Sequence, residues 1–127
     1  MDAQKTILVV DDNAAMRHLI PFAIAETGCK IVIARNGAEA LLIAAAETVH
    51  LLITDLFMGD MDGYDLVEAL RRSTANANLP AIVFTGYTHP DLDSVQPDTK
   101  IIQMTKPFSF SEMKRSIGLL LNPQGEA

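Results

Sequence analysis

Four short stretches of this 127-residue sequence carry side chains suited to holding a divalent cation and a phosphoryl group. They are the pair Asp11-Asp12, the single Asp55, Thr85-Gly86, and Lys106 within Thr105-Lys106-Pro107. Three carboxylates brought to one place repel, so at neutral pH they need either raised pKa values or a bound cation. Magnesium suits them best, because it takes oxygen ligands, needs few protein carboxylates, and keeps positions open for water and phosphate oxygens. A transition-metal site is not expected, since His18, His50 and His89 fall at unrelated places and Cys29 stands alone. With a cation present, an Asp55 oxygen could attack phosphorus. Magnesium and Lys106 would then offset charge on the phosphoryl oxygens, and the Thr85 hydroxyl would donate a hydrogen bond. Asp55 is the best nucleophile candidate. Asp11 and Asp12, adjacent on one turn, can serve as direct and water-mediated metal ligands. Each stretch also has a structural reading by itself: an acidic pair favouring a helix N-terminus, or an aspartate or threonine-glycine at an ordinary turn. The functional reading rests on four strand ends carrying what one reaction needs.

Those strand ends come from a repeating pattern. Thr6-Ile-Leu-Val-Val10 is a β-branched apolar run, followed by an amphipathic segment from Asn13 to about Thr27 that Gly28 ends. Asn13 is a plausible N-cap and Gly28 suits a left-handed position after the helix. Pro21 inside this segment removes the bond to Arg17 and predicts a kink or a break. Lys30–Ala34 and Leu51–Thr54 read as strands, with helices over Asn36 to about Glu47 and Gly63 to Arg72. Pro80–Phe84 and Lys100–Met104 complete five strands. Ser109 to Leu121 is a last helix, with Ser109 and Glu112 spaced as a capping box. Between the last two strands, Thr88 to Thr99 contains Pro90 and Pro97, so its helix should be short or irregular. Continuous apolar strands alternating with helices predict an α/β fold: a single doubly wound, five-stranded parallel sheet with right-handed crossovers and helices on both faces. In such a sheet the functional crevice lies beyond the carboxyl ends of the strands, where the acids, the threonine and the lysine fall.

The length is that of one domain, expected over residues 1–121 with a short loose tail at 122–127. Hydrophobic residues at 49% and charged residues at 20% exclude whole-chain disorder. A net charge of −6 argues against direct nucleic-acid or anionic-membrane binding. No apolar stretch approaches the roughly 18 residues of a membrane span. One cysteine and no signal-peptide pattern point to a cytoplasmic protein.

From Ile7 to about Leu121 the sequence resembles the response-regulator receiver domain of two-component signalling. The resemblance is carried by Val-Val-Asp11-Asp12, Ile-Thr-Asp55-Leu-Phe-Met58 with Asp62-Gly63, Phe-Thr85-Gly86 and Thr-Lys106-Pro107-Phe108, in that order. It implies a flavodoxin-like strand order of 2-1-3-4-5. It also implies Asp55 as phosphoacceptor, Asp11, Asp12 and Asp55 as magnesium ligands together with the Phe57 backbone carbonyl, and Thr85 and Lys106 as phosphoryl contacts. The Lys106-Pro107 bond of the family is typically cis. Phe57 and Tyr87 occupy positions that flank the phosphoryl site, and as aromatics they are expected either to pack at the crevice rim or to restrict the attacking water.

Two positions depart from the family. Gln103 stands where receivers commonly have the aromatic residue that changes rotamer with the threonine, and Gly59 stands where they commonly have proline, which predicts a more flexible loop. Both bear on whether activation uses the usual surface of the fourth helix, fifth strand and fifth helix. The expected function is a stand-alone receiver that takes a phosphoryl group from a histidine kinase or histidine phosphotransfer protein, as part of a phosphorelay, and switches binding to a separate protein target. Kinase docking in the family usually uses the first helix, here with Arg17 and His18 exposed. One alternative is a receiver-fold binding module that works without phosphorylation, although none of its acids nor Lys106 is lost. Another is an aspartyl-phosphate phosphatase. Haloacid-dehalogenase-like phosphatases carry Asp-x-Asp at the nucleophile, and the residue two beyond Asp55 is Phe57.

Overall fold

The computed structural model describes residues 4–73, 76–85, 100–105 and 108–121. Its strands are β1 (Thr6–Val10), β2 (Lys30–Ala34), β3 (Leu51–Asp55), β4 (Ala81–Thr85) and β5 (Ile101–Thr105). Its helices are α1 (Ala14–Ile24), α2 (Gly37–Ala46), α3 (Gly63–Arg71) and α4 (Phe110–Leu121). All four strand pairings are parallel and the order is β2-β1-β3-β4-β5. The expected α/β sheet is therefore present, with its order.

The strands are apolar runs because both faces of the sheet are covered. Along β1, Ile7 and Val9 turn into one core with Ile20 and Ile24 of α1 and Met113 and Ile117 of α4. Leu8 and Val10 turn into a second core with Ala40 of α2 and Leu66 and Leu70 of α3. Period-two alternation thus distributes each strand between two layers of helices. The three central strands are almost wholly buried, while β2 and β5 at the edges are partly open.

Local capping sets where the helices begin. Asn13 accepts from the Met16 N–H at 3.1 Å, Asn36 from Glu39 at 2.8 Å, Asp62 from Asp65 at 2.8 Å, and the Ser109 hydroxyl from Glu112 at 2.9 Å. The first helix differs from expectation at its far end. It does not break at Pro21 but continues to Ile24, with Ile20, Ala23 and Ile24 buried, so packing on both sides of the proline outweighs the one lost backbone bond. The chain then tightens into a 3-10 turn over Ala25–Thr27 that ends at Gly28, with φ 75°. Gly28 therefore takes the expected left-handed conformation, but it closes that turn rather than the α-helix.

Several expectations lie outside the described residues: the helix within Thr88–Thr99, Gly86 and Tyr87, Lys106 with its bond to Pro107, and the tail at 122–127.

Candidate functional site

Because every pairing is parallel, the carboxyl ends of all five strands share one edge of the sheet. Asp11 follows β1 directly, and its N–H donates to the Ala34 carbonyl at 3.3 Å, extending the β1–β2 ladder by one residue. Its side chain is fully buried and its Oδ1 accepts from the Asn13 N–H at 2.9 Å. Arg17 Nη1 donates to the Asp11 carbonyl at 3.0 Å, which holds the turn from the α1 side. Arg17 is half-buried in this role, so of the two α1 residues expected to be exposed only His18 is. Asp12 is exposed beside Asp11.

Asp55 is the last residue of β3, half-buried and in register with Phe84 of β4. One carboxylate oxygen each from Asp11, Asp12 and Asp55 lies within 4.8 Å of the others. The set is all oxygen, combines a buried acid with an exposed one, and includes no nitrogen or sulfur donor. That chemistry fits a hard divalent cation such as magnesium and does not fit zinc. Thr85 ends β4 one residue beyond Phe84, buried to 2% exposure and in register with Thr105 at the end of β5. The structure thus brings Asp11, Asp12, Asp55 and Thr85 to one edge, and Lys106 directly follows Thr105 in the chain.

The loop after β3 is pinned at both ends. Leu56 donates its N–H to the Phe84 carbonyl at 2.8 Å, Gly63 donates to the Leu56 carbonyl at 2.7 Å, and Phe57 and Asp62 form an antiparallel bridge. The Phe57 ring is 61% exposed, so it is not packed into the rim. Met58 is buried beneath, where its sulfur accepts from the Thr54 hydroxyl at 3.7 Å. Gly63 is required by close approach: a Cβ there would stand 2.7 Å from the Asp55 carbonyl oxygen.

Two contacts at this edge involve residues whose partners the sequence does not indicate. Asp60 accepts from the Gly37 N–H at 3.2 Å through Oδ1 and from the Ala38 N–H at 2.9 Å through Oδ2, joining the β3–α3 loop to the N-terminus of α2. The Ala38 bond is the main reason its carboxyl is held below the usual aspartate range. Gln103, at the position of the absent aromatic, donates through Nε2 to the Tyr64 hydroxyl at 2.9 Å, linking β5 to the first turn of α3. Asp60 stands 22 to 23 residues from its partners and Gln103 stands 39 from Tyr64, so no local pattern marks either.

Comparison with known proteins agrees with this geometry. A protein of Leptolyngbya boryana described as an uncharacterized 14.6 kDa protein in the sodA1 3' region is 37% identical over 89 residues, covering 70% of this chain and 68% of that one. The probable transcriptional regulator ycf27 of Pyropia yezoensis is 36% identical over 67% of this chain, and DNA-binding transcriptional regulator NtrC of Escherichia coli K12 is 32% identical over 84%. The chain spans 34% of that ycf27 protein and 22% of NtrC. Among solved structures, Vibrio cholerae chemotaxis protein CheY4 superposes with a TM-score of 0.86 at 24% identity, covering 94% of this chain and all of that one, which speaks for the fold. A response regulator receiver protein of Pseudomonas putida gives 0.80 at 28% identity, covering 93% and 98%. The family profile described as response regulator receiver domain matches residues 7–117, from the second residue of β1 into α4. With its strand order, its edge of acids and that match in agreement, the chain belongs to the response regulator receiver domain family.

Proposed function

We propose that this chain is a magnesium-dependent phosphoryl acceptor that uses Asp55. The observation that carries the reading is the convergence of Asp11, Asp12 and Asp55 at the carboxyl ends of two adjacent strands, with one oxygen of each within 4.8 Å. Receiver domains typically bind magnesium at an acidic pocket and act as signalling phosphoacceptors rather than as enzymes turning over an external substrate. Asp11, Asp12, Asp55 and the Phe57 carbonyl would hold the ion, which when bound supplies charge neutralisation for the acids and for the phosphoryl oxygens.

An Asp55 carboxylate oxygen forms the new O–P bond as the P–N bond of a phosphohistidine donor breaks. The electron pair of that bond returns to the imidazole nitrogen, which can be reprotonated from solvent. The Thr85 hydroxyl donates to a phosphoryl oxygen and the Lys106 ammonium offsets its charge. Buried Asp11, braced by the Asn13 N–H, keeps its carboxylate aimed at the edge. The donor is a histidine kinase or a histidine phosphotransfer protein, and the phosphorylated form changes binding to a separate protein target. The receiver unit spans residues 1–121 and works in the cytoplasm, with no direct nucleic-acid contact. Among the described residues no helix is long and apolar enough to cross a membrane.

The test is intact-mass analysis after incubation with magnesium and acetyl phosphate, beside an Asp55→Asn variant and a chelator control. A magnesium-dependent gain of one phosphoryl group, absent from Asp55→Asn, is the expected result. No gain from acetyl phosphate and none from a phosphorelay donor would instead favour a binding module that works without phosphorylation.

A further inference from the structure

We infer that Asp60 is a positioning residue for the acceptor site, clamping the loop that carries Phe57 onto the N-terminus of α2 so that magnesium affinity depends on it. The inference rests on the magnesium-dependent reading above and deepens it.

Between Asp55 and α3 the chain runs through residues 56–62. Its ends are tied by the Leu56 to Phe84 bond, the Gly63 to Leu56 bond and the Phe57–Asp62 bridge. Its apex is not tied in that way. Gly59 does not have a positive φ, and a Cβ there would meet nothing within 4 Å, so neither backbone preference nor packing restrains that residue. What joins the apex to the rest of the molecule is the buried Met58 side chain on the Phe57 side and, on the other, the carboxylate of Asp60, spread over two amides of α2, with the Met61 side chain lying against Gly37.

The helix end receives this clamp because its first-turn amides would otherwise lack partners. Asn36 satisfies Glu39, and the two N–H groups before it, Gly37 and Ala38, are satisfied from the loop by Asp60. A carboxylate there also meets the positive end of the helix dipole. The clamp therefore couples α2 to a loop on which Phe57 stands two residues beyond Asp55 and three before Asp60. A metal ligand on a short loop is only as well placed as its supporting contacts allow.

The competing reading is that Asp60 is merely a helix cap. Asn36 separates the two, because its side chain caps the same helix through a local bond to the Glu39 N–H rather than through the loop. Magnesium affinity of the full chain would be measured by titration calorimetry for the parent, Asp60→Ala, Asp60→Asn and Asn36→Ala, with thermal unfolding and the rate of phosphoryl gain from acetyl phosphate recorded alongside. Asp60→Ala should weaken magnesium binding on the order of tenfold and slow phosphorylation at limiting magnesium, with the rate recovering as magnesium saturates. Asp60→Asn, which keeps one acceptor oxygen, should fall between it and the parent, and it carries the test if Asp60→Ala does not fold. Asn36→Ala should lower the unfolding temperature yet bind magnesium within about twofold of the parent.

Unchanged affinity in the Asp60 variants, or an equal loss in Asn36→Ala, would overturn the inference. A parent that binds magnesium but accepts no phosphoryl group from any donor would sink the proposed function alone and leave the affinity comparison decisive for Asp60. A parent that binds no magnesium overturns both.

Discussion

His50 shows what a single side chain contributes away from the acidic edge. The Thr6 N–H donates to its Nδ1 at 2.9 Å, and the His50 N–H donates to the Thr6 carbonyl at 2.9 Å, so the residue before β3 is stitched to the first residue of β1. The Nδ1 nitrogen of the ring is thus engaged as an acceptor. Replacing it by alanine leaves the N–H of buried Thr6 without that partner. His50→Ala should lower stability by about 1–3 kcal/mol in denaturant unfolding, without changing phosphoryl acceptance. Asp60 makes a residue-scale prediction of a different kind. Its carboxyl is held below its ordinary value of 3.8, chiefly by the Ala38 N–H, so the folded state favours the ionised form. The stability this supplies is complete above the unfolded value and is lost as pH falls through the folded one. Acid unfolding followed by circular dichroism below about pH 4 should therefore be less steep in Asp60→Asn than in the parent.

At the scale of elements, the β3–α3 loop is built around contacts that tolerate little added volume. Gly63 opens α3 where a methyl group would press on the Asp55 carbonyl, a backbone atom that cannot move without displacing the Asp55 side chain at the acidic edge. Gly63→Ala should cost about 1–3 kcal/mol in unfolding experiments and slow phosphoryl gain as well, whereas an exposed substitution such as Phe57→Ala should change stability by about 0.5 kcal/mol or less. Phe57→Ala bears instead on the lifetime of the acyl phosphate. If the ring restricts the attacking water, dephosphorylation quickens in the variant, and an unchanged rate would reject that role. Helix α1 shows the opposite tolerance. Buried side chains on either side of Pro21 keep the helix intact without one backbone bond, so Pro21→Ala should raise the unfolding temperature by restoring the donor to Arg17.

Across the whole molecule, an acidic chain with net charge −6 gathers three carboxylates at one edge of its sheet. A cation bound there stabilises the folded state by mass action, by about 2.7 kcal/mol at a hundredfold excess over its dissociation constant. The unfolding temperature should rise with magnesium, return to its starting point with a chelator, and lose this response in Asp12→Asn. Since Asp12 is exposed, that variant should be no less stable than the parent without magnesium. A response to magnesium that survived in Asp12→Asn would argue that the ion sits elsewhere.

The strands, most helix starts and the residues at the strand ends were legible in the sequence because each rests on local chemistry. β-Branched apolar runs make buried parallel strands, and Asn13, Asn36 and Ser109 cap the amides three residues on. Alternation of strand and helix makes the pairings parallel, which sends Asp11, Asp12, Asp55 and Thr85 to one edge, while the strand order is what the receiver resemblance implied. Only the tertiary structure decided that Arg17 braces the Asp11 turn, that α1 survives Pro21, that Asp60 clasps Gly37 and Ala38, that Gln103 reaches Tyr64 and that His50 closes on Thr6. Most of these contacts join residues more than twenty positions apart, and all of them depend on how the packed layers are spaced. Sequence pattern reports what a residue does for its own turn of helix or strand, whereas a hydrogen bond between elements exists only once the cores on both faces of the sheet have set their distance and register.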